Sequence, residues 1–120
     1  IRKQYVELTP EEQVRQYCIN VLTKQFGYPK SAIAVEGQIN LNSMTRRFDI
    51  LVYDKALKPF LLVECKRKEV KLTQQTVDQV VSYNFAIQAP YIMITNSLTT
   101  YLIEYKDGEY AFLDTLPAYR

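Results

Sequence analysis

The sequence predicts an α/β fold with a mixed sheet, running helix, three strands, helix, strand and a closing hairpin. Three observations predict it. A capped amphipathic segment opens the chain, three β-patterned runs follow without a helix between them, and a helical segment of about fifteen residues separates two apolar strands. Strand, helix and strand in that order form a crossover, which nearly always joins parallel strands in the right-handed sense. The 120 residues, 48% apolar and 23% charged, suit one core that hides about two-thirds of the unfolded surface. With no repeat, low-complexity stretch or linker, residues 1–120 read as a single domain.

The elements follow in order. Thr9-Pro10-Glu11-Glu12 supplies an N-cap hydroxyl, a Pro at the first helical position and a Glu three residues after the cap. Val14, Tyr17, Cys18, Val21, Leu22 and Phe26 then form one apolar face, predicting a helix over 10–26 that stops near Gly27-Tyr28-Pro29. Ile33, Val35 and Ile39 alternate with polar neighbours, a half-buried strand over 32–39, and Leu41 to Thr45 reads as a turn. Phe48, Ile50 and Val52 mark a strand over 46–54, and the nearly continuous apolar run after Pro59 marks a central strand over 59–67. Thr73 can cap a helix over 73–88, whose inner face is Val77, Val80, Val81, Asn84 and Ile87. A strand over 91–95 follows, then a hairpin over 100–113 turning at Asp107-Gly108.

Composition narrows the chemistry. The chain has no His and no Trp, which excludes His-based general bases, Ser-His-Asp and Cys-His nucleophiles, and imidazole metal sites. Cys18 and Cys65 lack paired-ligand spacing, so a reducing cytoplasm is expected. No apolar run approaches a membrane span, so no membrane partner is expected. Opening on Ile1 rather than Met, the chain reads as a piece of something longer or as a trimmed one. Fifteen Lys and Arg against 13 Asp and Glu leave a net charge of +2, so any nucleic-acid contact rests on local patches.

Glu64 and Lys66 interrupt the most apolar strand, where charge is costly. Strand alternation projects both from one face and sends Cys65, an expected inert core thiol, to the other. If the two central strands form a hairpin with a loop from Lys55 to Lys58, Tyr53 lies opposite Phe60, Leu51 opposite Leu62, Asp49 opposite Glu64 and Arg47 beside Lys66. Two carboxylates at that distance repel unless a proton or cation lies between them, and a hard divalent ion such as Mg2+ is the usual solution. Such an ion could activate a water against a phosphodiester, with Lys66 orienting the water or offsetting negative charge. The alternative is a structural Glu64-Lys66 pair with Asp49 an independent surface residue.

Asp49 followed by Glu64-Cys65-Lys66 on the next strand resembles the PD-(D/E)XK nuclease superfamily, although Phe48 stands where the superfamily's name places Pro. Gln79 and Tyr83 form a Q-x-x-x-Y pattern similar to that of the N-terminal nuclease domain of type I restriction enzyme R subunits, as is the opening Pro10-Glu11-Glu12-Gln13-Val14-Arg15-Gln16. The resemblance implies a restriction-endonuclease-like core, α-β-β-β-α-β with a mixed central sheet and a C-terminal β-hairpin. It further implies a Mg2+-dependent DNA endonuclease, with Mn2+ as the substitute ion. Asp49, Glu64 and the backbone carbonyl of Cys65 would bind metal, Lys66 would serve the attacking water, and Gln79 and Tyr83 would support the site or contact DNA. The first helix of such domains lends a further acid. Glu11 is the candidate here because it points toward Val14, Cys18 and Leu22, whereas Glu12 has a capping role; Glu36 reads as a surface charge.

Arg46, Arg47, Arg67, Lys68 and Lys71 cluster in sequence around these residues and are candidate contacts to the phosphate backbone of double-stranded DNA. Specificity, modification or motor subunits are the further partners that the resemblance implies. Gly27, Gly37 and Gly108 build no phosphate-binding loop, so an ATP-driven motor would have to lie elsewhere. The competing reading is a catalytically silent DNA-binding module on the same fold, or a protein-interaction module using the open edge of the hairpin.

Overall fold

Two helices cover opposite faces of a six-stranded sheet, and the alternation of side chains along each strand decides which helix each residue meets. The structure, a computed structural model, describes residues 9–41 and 44–120. Helix α1 (Pro10–Asn20) starts where the Thr9 hydroxyl accepts the Glu12 N–H at 3.2 Å. The expected helix over 10–26 does not stay α-helical. Val21–Gln25 is a wider π-helical turn, and the Tyr28 N–H returns to the Leu22 carbonyl at 2.9 Å. Only Val14, Cys18 and Leu22 of the predicted apolar face are buried. Tyr17 and Phe26 stay exposed, and the buried places beside Val14 belong to Glu12 and Arg15.

Strands β1 (Ile33–Leu41), β2 (Met44–Tyr53), β3 (Pro59–Cys65), β4 (Tyr91–Thr95), β5 (Thr100–Lys106) and β6 (Glu109–Leu113) lie in the sheet in chain order. Every neighbouring pair is antiparallel except β3 and β4, which run parallel because helix α2 (Gln74–Ile87) carries the chain across. The turn expected over Leu41 to Thr45 is mostly strand instead. Leu41 pairs with Met44, so the hairpin is tight, and residues 42–43 lie outside the described set. At the hairpin between β2 and β3, Leu51 pairs with Leu62 as expected, but Tyr53 meets Pro59 rather than Phe60. The shift comes from Asp54, whose carboxylate accepts the Ala56 and Lys58 N–H groups and draws the loop in by one residue.

On one face, Val14, Cys18 and Leu22 pack on Ile50, Val52, Leu61, Val63 and Cys65. On the other, Val77, Val80 and Ile87 of α2 pack on Leu51, Leu62, Ile92 and Ile94. Each such apolar side chain, fully buried, contributes about 2 kcal/mol relative to exposure. Helix α2 begins at a reciprocal Thr73–Thr76 capping box and ends at Gln88, which adopts a left-handed φ of 60°. The fully buried Asn84 bonds both the N–H and the carbonyl of Ala89, locking the entry to β4. Past β6 the chain crosses the Phe60 end of the α1-side core. Leu116 is buried there, and the Tyr28 hydroxyl donates to the Pro117 carbonyl at 2.5 Å. Glu64 lies at the other end of β3 from that tail.

Candidate active site

Both ladders of β2 break at Asp49. On the β1 side, Val35 pairs with Ile50 and Gly37 with Phe48, while Glu36, between them, takes a left-handed φ of 48° and does not pair. Side-chain alternation reverses there in both strands. Ala34 and Leu51 face α2 on one side of the break, and Ile39 and Phe48 face it on the other. On the β3 side the ladder stops at Ile50 and Val63, so the expected pairing of Asp49 with Glu64 does not form as a ladder rung, and neither does that of Arg47 with Lys66. Asp49 instead replaces the missing rung with its side chain, Oδ2 accepting the Cys65 N–H at 2.9 Å.

Strand β3 ends at Cys65, two residues earlier than expected, because the Lys66 N–H still reaches the Thr95 carbonyl of β4 but the chain then turns at Arg67 to Val70. Glu64 and Lys66 project to one side, their Oε2 and Nζ 3.4 Å apart. Burial, and after it the neighbouring Asp49, raise the Glu64 carboxyl above the usual carboxylate range, with Lys66 opposing. Cys65 points the other way, its Sγ 3.8 Å from Cys18 Sγ. Both thiols are free and buried, and the Cys18 sulfur together with burial pushes the Cys65 thiol far up. It is a buried core thiol, flanked in sequence by Glu64 of β3 and by Lys66 just past the strand's end.

From α2, Gln79 and Tyr83 line the same open cleft as Asp49, Glu64, Lys66 and Arg47. The cleft has a volume of about 650 Å³. These six residues, all singled out in the sequence, therefore line one cleft, from two strands, a strand end and a helix.

Arg15 was not among them. Its side chain is 9% exposed, and its guanidinium joins carboxylates from three elements. Nη1 binds Glu12 of α1 and lies 3.4 Å from Glu36 Oε1 of β1, while Nη2 lies 3.3 Å from Asp49 Oδ1 of β2. Burial alone would lower its pKa; Asp49 and Glu12 outweigh that and leave it raised. A sequence signal existed, since Arg15 shares a helical stripe with Cys18 and Leu22 at three and seven residues' spacing, where an unpaired charge would not be tolerated. Its partners are 21 and 34 residues distant, which no local pattern reveals.

The two helical acids differ in setting: Glu11 is exposed and near enough to Glu64 to add to the rise of its carboxyl, whereas Glu12 is 5% exposed and turns its carboxylate onto Arg15 and Gln16. Glu36, expected as a surface charge, is exposed but lines the cleft against Arg15. The basic cluster separates in space. Arg47 lines the cleft, Arg67 faces Glu69 at 4.0 Å, Lys68 lines a different groove with Pro10 and Tyr17, and Lys71 is exposed. The side chain of Arg46 lies outside the described residues.

The donor set suits a small hard cation. Among the described residues no group of three or more acidic or thiol side chains is placed to hold a metal ion, and of the carboxylates lining the cleft Asp49 and Glu64 are near enough that Asp49 helps to raise the Glu64 carboxyl. Mg2+ binds through one or two carboxylates and keeps several waters, so these residues fit it. No helix among the described residues is long and apolar enough to cross a membrane.

A family model described as the N terminus of the type I restriction enzyme R protein matches residues 10–117. No curated protein matches the chain significantly. Among solved structures, a fragment assigned to an HsdR subunit of a type I restriction enzyme from Vibrio vulnificus superposes with a TM-score of 0.65 at 20% identity, over 92% of this chain and 24% of that one. A protein from Anabaena variabilis assigned as a nuclease superposes with a TM-score of 0.56 at 10% identity, over 96% of this chain and 72% of that one. At these identities the likeness is one of fold, restriction-endonuclease-like, and the chain spans about a quarter of the Vibrio chain's length.

Proposed function

Because the chain belongs to the family of type I restriction enzyme R protein N termini, we propose that its cleft hydrolyses phosphodiester bonds of DNA as a Mg2+-dependent endonuclease site. One observation carries the reading: Asp49, Glu64, Lys66, Gln79 and Tyr83, separated by up to 34 residues in sequence, line a single open cleft.

Asp49, Glu64 and the Cys65 carbonyl would hold Mg2+, or Mn2+ in its place, and the ion would supply Lewis-acid polarisation of a phosphoryl oxygen and an acidified water. Lys66 orients the attacking water and offsets negative charge developing on the phosphate. Its pairing with Glu64 keeps the ammonium directed into the cleft. Gln79 and Tyr83 support the site or contact the DNA backbone from the helix side, and Arg47 neutralises a phosphate at the rim. Other subunits, or other parts of a longer chain, would deliver the DNA.

The test is titration of Mg2+ and Mn2+ into the wild type, Asp49→Ala and Glu64→Ala by calorimetry, with nicking of supercoiled plasmid followed in the same samples. The reading expects saturable binding that both variants lose, and nicking that Lys66→Ala abolishes while metal binding persists. Binding without nicking would make this a silent module, and absence of binding at millimolar metal would overturn the catalytic reading.

A further inference from the structure

Arg15 is the one buried cation beside a carboxylate of the cleft among the described residues, and nothing in the proposed chemistry uses it. It enters from α1, is 8% exposed, and spreads two nitrogens over Glu12, Glu36 and Asp49. Its Nε, also buried, has no hydrogen-bond partner. An arginine placed only for stability would have its donors satisfied; here one is left over while another lies at 3.3 Å from Asp49 Oδ1. Asp49 is consequently held at both oxygens, Oδ2 by the Cys65 N–H and Oδ1 by the guanidinium.

We infer that Arg15 is a positioning residue that serves as the resident counter-ion of Asp49, sharing that carboxylate with the divalent metal and so setting how tightly the metal binds. The inference rests on the proposed metal reading. Its physics is competition. A fixed positive charge close to Asp49 lowers the affinity of that carboxylate for a second cation, and Glu12 moderates the effect by drawing the guanidinium toward α1. Arg15 thus keeps Asp49 oriented and its charge balanced without metal, and yields part of its share when a cation arrives.

The two ends of the contact give opposite expectations. Arg15→Gln removes the competing charge, so Mg2+ should bind about tenfold more tightly. Glu12→Gln releases the guanidinium toward Asp49 and Glu36, so Mg2+ should bind several-fold more weakly, and this variant leaves no buried carboxylate uncompensated if Arg15→Gln fails to fold. Arg15→Lys keeps the charge and should stay near the wild type. The measurement is the Mg2+ dissociation constant of the whole chain by calorimetry without DNA, with the Mg2+-induced rise in melting temperature as a second readout. A residue that only braced the fold would weaken binding when lost and never tighten it. Unchanged or weaker binding in a folded Arg15→Gln, or unchanged or tighter binding in Glu12→Gln, overturns the inference while leaving the metal site standing. Absence of saturable binding in the wild type and every variant overturns both.

Discussion

Glu64 shows how much a single position can carry. Burial and the nearby Asp49 raise its carboxyl above the ordinary value of 4.5, so the native state holds that proton more firmly than the unfolded chain does. Linkage then gives the sign. Stability conferred by this group is greatest below the ordinary carboxylate range, falls as pH rises through the raised value, and is constant above it. Glu64→Gln should remove this decline and be more stable than the wild type near neutrality, checked by urea unfolding between about pH 4 and 8; an unchanged decline would assign it to another group. Gly37 makes a second residue-scale case. A Cβ there would stand 2.5 Å from the tip of the Phe48 ring, which covers the glycine from the adjacent strand. Gly37→Ala should therefore displace Phe48, next to Asp49, and cost about 1–3 kcal/mol by chemical denaturation. Asp49, Glu64 and Lys66 were legible in the sequence because charge in an apolar strand and the expected hairpin register are local signals, and Gln79 and Tyr83 only through the resemblance to a family motif. Arg15 and Glu12 were not, because what makes them significant is the convergence of α1, β1 and β2.

At the scale of elements, the strands and helices were legible where periodicity is strong, and the ends were decided by side chains that periodicity ignores. Asp54 moved one register position by bonding its own loop, and Glu36 and Asp49 broke two ladders together. Asn84, read from sequence as part of the apolar face of α2, is instead the latch between α2 and β4. Asn84→Ala should leave the Ala89 N–H and carbonyl unsatisfied in the interior and cost about 2–3 kcal/mol. Thr73→Ala at the exposed start of the same helix should cost about 1 kcal/mol. Thermal unfolding of the two variants side by side tests the ordering; equal losses would mean that the latch is no stronger than an ordinary cap.

For the whole molecule, the basic residues that are adjacent in sequence point to different places, and this changes what a DNA-binding measurement should show. Arg47 and Lys66 share the cleft with the carboxylates, whereas Lys68 lies in a groove beside α1. If DNA is held across the cleft, Arg47→Ala should reduce the slope of log affinity against log salt by about 1, and Lys68→Ala should leave it unchanged. Fluorescence anisotropy with a short duplex at several salt concentrations reads both; equal changes in the two would move the DNA path off the cleft.

The order of strands in the sheet, identical to their order along the chain, has a kinetic consequence. Each strand finds its partner by closing a short hairpin, except for the crossover from β3 to β4, so most of the sheet can assemble by successive local zippering at little loop-closure cost. The crossover is the step left to limit the rate, and it is also the step that brings α2, with Gln79 and Tyr83, over the carboxylates of β2 and β3. Before that step the meander already carries Asp49 and Glu64, but as neighbours on an open, hydrated surface; the cleft comes into being only when the slowest loop closes.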